Sequence, residues 1–115
     1  MTSFGIVMEA SPGNTAMLAR EIEQMGFDAL LCPDTQNLSP DPIGQLSLAG
    51  AATESLLVGT GVTNPITRDP AVLACSLASL GVETGDERFA VLAAAIPVLR
   101  TSAKVMERAR SFVTL

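Results

Sequence analysis

Histidine, tryptophan and tyrosine are absent from the 115-residue sequence, and cysteine occurs only twice. Without histidine the chain cannot form a Ser-His-Asp triad, a Cys-His nucleophile or a His-ligated zinc site, so no metal site is expected. Cys32 and Cys75 are far apart and lie outside any C-x-x-C pair, which favours two small buried residues in a reducing compartment. The sequence therefore excludes several common catalytic arrangements.

Basic residues are also scarce, because seven Lys and Arg stand against twelve Asp and Glu and give a formal charge of -5. That balance repels a phosphate backbone, and no basic cluster offsets it. No apolar run approaches the ~20 residues of a membrane-spanning helix, and residues 1–4 lack the basic start of a secretory signal. We therefore expect a cytoplasmic protein with neither nucleic acid nor membrane as a partner.

Short β-like runs and longer helical patterns alternate along the chain, and 48% of the residues are hydrophobic. This is enough for one buried core, and the alternation is typical of βα units around a parallel sheet. Strands are predicted to start near Phe4, Ala29, Leu56 and Phe89, at separations of 25, 27 and 33 residues. Four such units form either half of a (β/α)₈ barrel or a small doubly wound sheet, and periodicity alone does not separate the two.

Helices are predicted between these strands. The second and third begin with Asp41-Pro42 and Asp69-Pro70, in which the carboxylate caps the helix and the proline takes its first position. A further helix is predicted after Arg100. The three helices between strands are expected to cover about residues 15–25, 42–52 and 70–80.

Polar residues that follow the predicted strands are candidates for function, because these loops form the functional face of parallel α/β proteins. Asp34 could hydrogen-bond a polar ring edge or assist proton transfer, but a turn residue capping its own loop is the favoured interpretation. Glu9 and Arg68 are expected to face solvent, although Arg68 could pair with an anion. The candidate places are Glu9, Asp34-Thr35-Gln36-Asn37, Thr63-Asn64 and the segment after Ala95.

Two glycines, Gly59 and Gly61, lie in the third predicted strand. They indicate a bulge or an unusual backbone, and they permit the close approach that a flat aromatic cofactor needs. The first βα unit lacks the G-x-G-x-x-G fingerprint, since the chain reads EASPG after its first strand. A dinucleotide site of the Rossmann type is therefore not supported.

Three segments resemble the luciferase-like superfamily of flavin- and deazaflavin-dependent oxidoreductases. They are residues 25–37, residues 41–52, and residues 58–70, which read VGTGVTNPITRDP and are the most specific. The similarity covers about residues 3–88. It is strongest to the branch typified by deazaflavin-dependent methylenetetrahydromethanopterin reductases.

The resemblance implies the N-terminal half of a TIM (β/α)₈ barrel, with a deazaflavin (coenzyme F-420) or FMN ring at the carboxyl ends of the strands. Gly61, Val62, Thr63 and Asn64 would bind the cofactor, on a bulged strand that often carries a non-proline cis peptide in the family. Asp34 would lie near the reactive edge of the ring as the catalytic residue. The implied activity is hydride transfer to or from a small organic substrate, or activation of dioxygen on reduced FMN.

The sequence departs from the family pattern after its fourth strand. The family has a segment of Gly-Arg-Gly-Asp character there, whereas residues 93–97 of this chain read AAAIP. Similarity to the family resumes at residues 98–101 and 107–115. A local replacement between similar segments resembles a short shift of reading frame. We therefore expect residues 1–115 to be a single truncated domain with exposed sheet edges that promote homo-oligomers. The alternative functions are a catalytically inactive half-barrel remnant that self-associates or binds a partner, and a small α/β binding domain.

Overall fold

The computed structural model describes residues 2–63, 66–85 and 88–93, the last five by their backbone alone. Strands and helices alternate through these residues, as the sequence predicts. The elements are β1 (Gly5–Val7), α1 (Thr15–Gln24), β2 (Ala29–Cys32), α2 (Pro42–Ala52), β3 (Leu57–Thr63), α3 (Pro70–Thr84) and β4 (Phe89–Ala93).

The sheet distinguishes between the two folds that periodicity leaves open. Its strands are all parallel, and they follow one another in the order β1-β2-β3-β4. A doubly wound sheet reverses its strand order at a switch point, whereas a barrel adds each strand beside the previous one. Right-handed crossovers then place the helices on one face, where α1 packs against α2 and α2 against α3. The fold is that of the N-terminal half of a TIM (β/α)₈ barrel, as expected.

The hydrophobic core lies between the sheet and its helices. Leu30 of β2 and Val58 of β3 are fully buried against Leu46 of α2 and Leu77 of α3. Burying each of these side chains contributes about 1.5–3 kcal/mol. The opposite face of the sheet is more open, since Val7 of β1 is 63% exposed.

The observed helices and strands confirm most predicted boundaries. The largest difference is in α3, which was expected to end near Leu80 but continues to Thr84. Gly81 does not end the helix, and it is buried within it. The helix ends at Gly85, whose φ of 76° suits a residue without a side chain. The predicted end of β4 at residue 95 and the helix after Arg100 lie outside the described residues.

Both Asp-Pro pairs open their helices as predicted. Asp41 accepts a hydrogen bond from Gly44 N, and Asp69 accepts from the backbone N–H groups of Ala71 and Val72. No helix in the described part of the chain is long and apolar enough to cross a membrane.

The two cysteines differ in their surroundings. Cys32 is buried, but Cys75 is exposed, so the expectation of two buried thiols was wrong for Cys75. The reason is helical geometry, because α3 turns Ala74, Leu77 and Ala78 towards the sheet and leaves position 75 on the outer side.

Candidate functional site

Asp34 lies at the carboxyl end of β2, where the loop to α2 begins. Its side chain is buried, and its backbone N–H donates to Val62 O at 3.3 Å, which ties the loop to β3. The carboxylate does not cap its own loop. Ser39 does so instead: its hydroxyl accepts from Thr35 N at 3.0 Å and donates to Pro33 O. The favoured interpretation of Asp34 as a turn residue was therefore wrong, because Ser39 takes that role.

Thr63, the last residue of β3, brings a second polar group to Asp34. Its buried hydroxyl donates to Asp34 Oδ2 at 2.6 Å. Two residues earlier, Gly61 lies so close to β2 that an added Cβ would be 3.3 Å from Cys32 C and from Pro33 N. The missing side chain at this position thus lets β3 approach β2, and this close approach helps place Thr63 beside Asp34.

Arg68, in the loop between β3 and α3, completes the cluster. Its Nε donates to Asp34 Oδ2 at 2.6 Å and its Nη2 to Asp34 Oδ1 at 3.0 Å, which is a bidentate pair. Nη2 also donates to Asp41, the capping residue of α2. The expectation that Arg68 faces solvent was wrong, because two carboxylates at the same end of the sheet attract its guanidinium. We call Asp34, Asp41, Thr63 and Arg68 the polar cluster.

The electrostatics of the cluster fix its protonation states. Burial raises the pKa of Asp34, but the hydrogen bonds from Arg68 and Thr63 and the positive charge of Arg68 outweigh burial, so its pKa lies below the usual value. The hydrogen bonds to Asp34 raise the pKa of Arg68. At neutral pH Asp34 is therefore a carboxylate and acts as a hydrogen-bond acceptor. Cys32, whose pKa is raised to about 11 by burial, remains a thiol.

A cleft of about 260 Å³ opens beside the cluster. Two residues adjacent in sequence to Thr63 and Thr67 are apolar and exposed, since Val62 is 48% exposed and Ile66 is 92% exposed. A fixed donor and acceptor set next to apolar side chains fits a flat heteroaromatic group with a polar edge. The residues that line the cleft are Asp34, Thr35, Gln36, Asn37, Ser39, Pro40, Asp41, Thr67 and Arg68.

The structure brings some of the predicted site residues together. Asp34 and Thr63 are in contact, Val62 is exposed beside them, and Gly61 faces β2 rather than open space. Asn64 lies outside the described residues. Glu9 is exposed, as expected, and belongs to no cluster.

The bulge predicted for β3 is present as a shift in its register with β4 between Thr60 and Thr63. The cis peptide implied by the resemblance is not found, because every described peptide bond is trans. Among the described residues no group of acidic or cysteine side chains could hold a metal ion.

The contact of Arg68 with Asp34 was not predicted from the sequence. Its neighbour Asp69 is explained as a helix cap, and nothing in the local pattern indicates that residues 34 and 68 meet. One signal was available, since both follow neighbouring parallel strands, and parallel strands bring their carboxyl ends to the same edge.

Fold and cluster together define a barrel-type β/α protein with a polar cluster beside a cleft at the carboxyl ends of its strands. The model of the luciferase-like monooxygenase family matches residues 3–91, which include the whole polar cluster. The chain belongs to this family.

Two relatives carry the same name. The 5,10-methylenetetrahydromethanopterin reductase of Methanolobus tindarius is 40% identical over 70 residues, which cover 61% of this chain and 21% of that protein. The enzyme of that name from Methanopyrus kandleri is 37% identical over 81 residues, covering 68% of this chain and 23% of that protein. The chain thus spans less than a quarter of the length of either relative.

The chain also matches solved structures of a reductase and a monooxygenase. The coenzyme F-420-dependent tetrahydromethanopterin reductase of Methanopyrus kandleri matches with a TM-score of 0.72 and 28% identity, covering 88% of this chain and 30% of that one. A monooxygenase from Streptomyces bottropensis matches with a TM-score of 0.69 and 26% identity, covering 96% and 39%.

Proposed function

We propose that this chain forms the N-terminal part of a deazaflavin- or FMN-dependent oxidoreductase that acts on a small organic substrate. The observation that carries the proposal is the polar cluster, with its cleft, at the carboxyl ends of β2 and β3. The similarity to the coenzyme F-420-dependent reductase of Methanopyrus kandleri favours a deazaflavin over FMN. When bound, such a ring would accept or donate hydride, or activate dioxygen if it is reduced FMN.

The residues of this chain have distinct roles in the proposal. In this proposal Val62 supplies apolar surface for one face of the ring, and Thr63 and Asn64 are further cofactor-binding residues. Gly61 keeps β3 against β2, so the backbone of the strand can approach the cofactor. These residues hold the ring and exclude water from it.

Asp34 is proposed as the catalytic residue at the polar edge of the ring. Because its pKa is lowered, it acts there as an ionised acceptor of hydrogen bonds and not as a proton donor at neutral pH. Arg68 is a positioning residue, since its two hydrogen bonds to the Asp34 carboxylate fix the direction of both oxygens. The proposal places the chain in the cytoplasm, in keeping with the free thiols of Cys32 and Cys75.

A titration of the purified chain with FMN and, separately, with the deazaflavin tests this function. We expect saturable changes in ring absorbance and fluorescence with one of the two. Asp34→Asn and Arg68→Met should weaken this binding at least about tenfold, which is a loss of about 1.4 kcal/mol. Arg20→Met, which removes the same charge from the exposed side of α1, serves as the control and should bind as the natural chain does.

A second candidate function is a catalytically inactive half barrel that self-associates through its open sheet. The observation that favours it is the exposed β1, where Val7 is 63% exposed in the outermost strand of the described sheet. The same titration separates the candidates, because a folded chain that perturbs neither cofactor supports the inactive remnant and contradicts the oxidoreductase. Family membership stands in either case, since it rests on the sequence match.

A further inference from the structure

Helices α2 and α3 begin with the same Asp-Pro pair, but their capping carboxylates are used differently. Asp69 gives Oδ1 to the start of α3, where it accepts from Ala71 N at 2.9 Å and from Val72 N at 3.4 Å. The one described bond from α2 to Asp41 is longer than the better of these, since Oδ2 accepts from Gly44 N at 3.4 Å. Capping therefore explains the position of the Asp69 carboxylate better than that of Asp41.

The other oxygen of Asp41 binds Arg68. Its Oδ1 accepts from Arg68 Nη2, the nitrogen that also donates to Asp34 Oδ1 at 3.0 Å. Each terminal nitrogen of a guanidinium carries two N–H groups, so the two carboxylates together use both of those on Nη2. Asp41 thus serves the helix with one oxygen and Arg68 with the other, and a substitution can separate the two roles.

The bond to Asp41 determines which edge of the guanidinium faces Asp34. An arginine can bind a carboxylate through Nε and one terminal nitrogen, which is the side-on edge, or through both terminal nitrogens, which is the end-on edge. Arg68 uses the side-on edge, because Nε and Nη2 donate to Asp34. The end-on edge would need the second N–H of Nη2, which the planar fork directs away from the side-on edge and which Asp41 accepts. Asp41 therefore favours the side-on pair over the end-on pair.

The contact between Asp41 and Arg68 is too exposed to be explained as a stabilising ion pair. The side chain of Asp41 is 63% exposed, whereas that of Asp34 is 8% exposed. Solvent screens an exposed pair, and ordering a long arginine side chain costs conformational entropy, so such pairs add little to the free energy of unfolding. What the contact changes is the direction of the guanidinium relative to the buried Asp34 carboxylate.

Arg68 also joins the two ends of the loop that lines the cleft. Asp34 is the second residue after β2, and Asp41 directly precedes α2. Both residues line the cleft, together with most of the loop between them. Asp41 therefore belongs to the rim of the cleft, although it lies at a helix start and not at a strand end.

We propose that Asp41 is a positioning residue of the cofactor site, whose carboxylate holds the Arg68 guanidinium side-on to Asp34. This inference rests on the proposed function, in which Asp34 meets the polar edge of the ring. Removing the charge of Asp41 has two opposite effects on Asp34. The loss of a negative neighbour lowers the pKa of Asp34, whereas the loss of well-directed hydrogen bonds from Arg68 raises it. The direction of the change therefore separates positioning from simple charge.

Carbon NMR of the labelled full chain measures the pKa of Asp34 directly. Asn caps a helix about as well as Asp, so Asp41→Asn keeps the start of α2 and removes the charged partner of Arg68. We expect the pKa of Asp34 to rise towards its usual value in this variant. Asp69→Asn removes the same charge from the matching helix start and should leave that pKa unchanged. Asp41→Ser, which also keeps a cap, should agree with Asp41→Asn, and circular dichroism checks that each variant folds.

Two results of this titration would overturn the proposal. One is a lower pKa of Asp34 in Asp41→Asn, because that is the effect of charge alone. The other is the same change in Asp41→Asn and Asp69→Asn, because the contact with Arg68 would then be irrelevant.

Cofactor binding by the full chain gives a second test. Asp41→Asn should weaken the binding of FMN or of the deazaflavin about three- to fivefold, and Asp69→Asn should not change it. Because Asp41 acts through Arg68, the double variant Asp41→Asn with Arg68→Met should bind no more weakly than Arg68→Met alone. Additive losses would mean that Asp41 acts independently and would overturn the proposal. A natural chain that binds neither cofactor refutes the proposed function, while the pKa of Asp34 still decides the role of Asp41.

Discussion

Arg68 and Arg88 are matched residues at opposite ends of the sheet, and their partners differ in kind. Arg88, just before β4, donates from Nε to Thr84 O at 2.7 Å, from Nη1 to Thr53 O at 3.1 Å and from Nη2 to Gly50 O at 3.3 Å. Those carbonyls lie at the ends of α2 and α3. Arg68 donates instead to carboxylates. Arg88 thus satisfies backbone carbonyls at helix ends, whereas Arg68 holds carboxylate side chains in place beside a cleft.

The same contrast extends to the acidic residues. At the amino end of the sheet Glu23 accepts from the backbone N–H groups of Glu54, Ser55 and Leu56, and Asp28 accepts from Phe4 N at 2.8 Å. At the carboxyl end the described partners of the Asp34 carboxylate are the side chains of Thr63 and Arg68. In barrels the amino face serves stability and the carboxyl face serves binding. The described contacts follow that division.

Arg88→Met should have the largest effect on stability. It removes three hydrogen bonds to helix-terminal carbonyls, at about 1 kcal/mol each, so we expect the free energy of unfolding to fall by about 3 kcal/mol. Urea unfolding with an unchanged m-value measures this loss. Where the variant is folded, cofactor binding should be normal. Weakened binding with normal stability would break the division between the two ends.

Arg68→Met should lower stability less than Arg88→Met does, but it should weaken cofactor binding. Among its described partners the buried Asp34 then keeps Thr63. We expect this change to lower the free energy of unfolding by about 2 kcal/mol, because the 23% exposed guanidinium is partly screened by solvent. Cofactor binding should fall at least about tenfold. The double variant Asp34→Asn with Arg68→Met should regain part of the stability but none of the binding. Additive losses in stability would show that the two residues are not coupled.

Much of the fold could be predicted from local patterns. The Asp-Pro pairs predicted the starts of α2 and α3, and the predicted strand start near Ala29 is the first residue of β2. Periodicity could not predict the strand order, because the same pattern occurs in a barrel and in a doubly wound sheet, so the expected barrel rested on the resemblance alone. Only the pairing of β1 with β2 and of β2 with β3 decides it.

The candidate site could be predicted only in part. The resemblance pointed to Asp34 and Thr63, but the local sequence favoured a turn for Asp34 and solvent for Arg68. Both errors have one cause, because the bond between these residues joins positions 34 apart in the chain. The hydrogen bonds of Glu23 to residues 31 to 33 positions away were not predicted for the same reason.

Glu23→Gln should have a smaller effect that depends on pH. Burial raises the pKa of Glu23, but the hydrogen bonds from Ser55, Glu54 and Leu56 together lower it by more than burial raises it. The folded pKa therefore lies below 4.5. A depressed folded pKa stabilises the fold above the unfolded value, and this contribution is lost as pH falls through the folded pKa. We expect a loss of about 1 kcal/mol at pH 7 from the missing charge-assisted hydrogen bonds.

Urea unfolding between pH 7 and pH 3 tests the Glu23 prediction. Stability of the natural chain should decline below about pH 4.5, and Glu23→Gln should decline less steeply over that range. Asp34, whose pKa is also lowered, contributes to this slope as well, so Asp34→Asn should flatten it further. An equal acid slope in the natural chain and in Glu23→Gln would refute the role given to this carboxylate.

The smallest effects should come from substituting two glycines by alanine. Gly61 tests the packing of β3 on β2, and Gly44 tests helix propensity alone. A Cβ at Gly61 would be 3.3 Å from the backbone of residues 32 and 33, so Gly61→Ala should push β3 from β2 and cost about 1 kcal/mol. Gly44→Ala, whose Cβ would meet only Asp41 Oδ2 at 3.8 Å, should stabilise α2 by about 0.5–1 kcal/mol. Because Thr63 moves with β3, Gly61→Ala should also weaken cofactor binding, and Gly44→Ala should not. If both variants bind alike, the approach of β3 to β2 does not shape the site, and the carboxyl end of the sheet depends on its charged side chains alone.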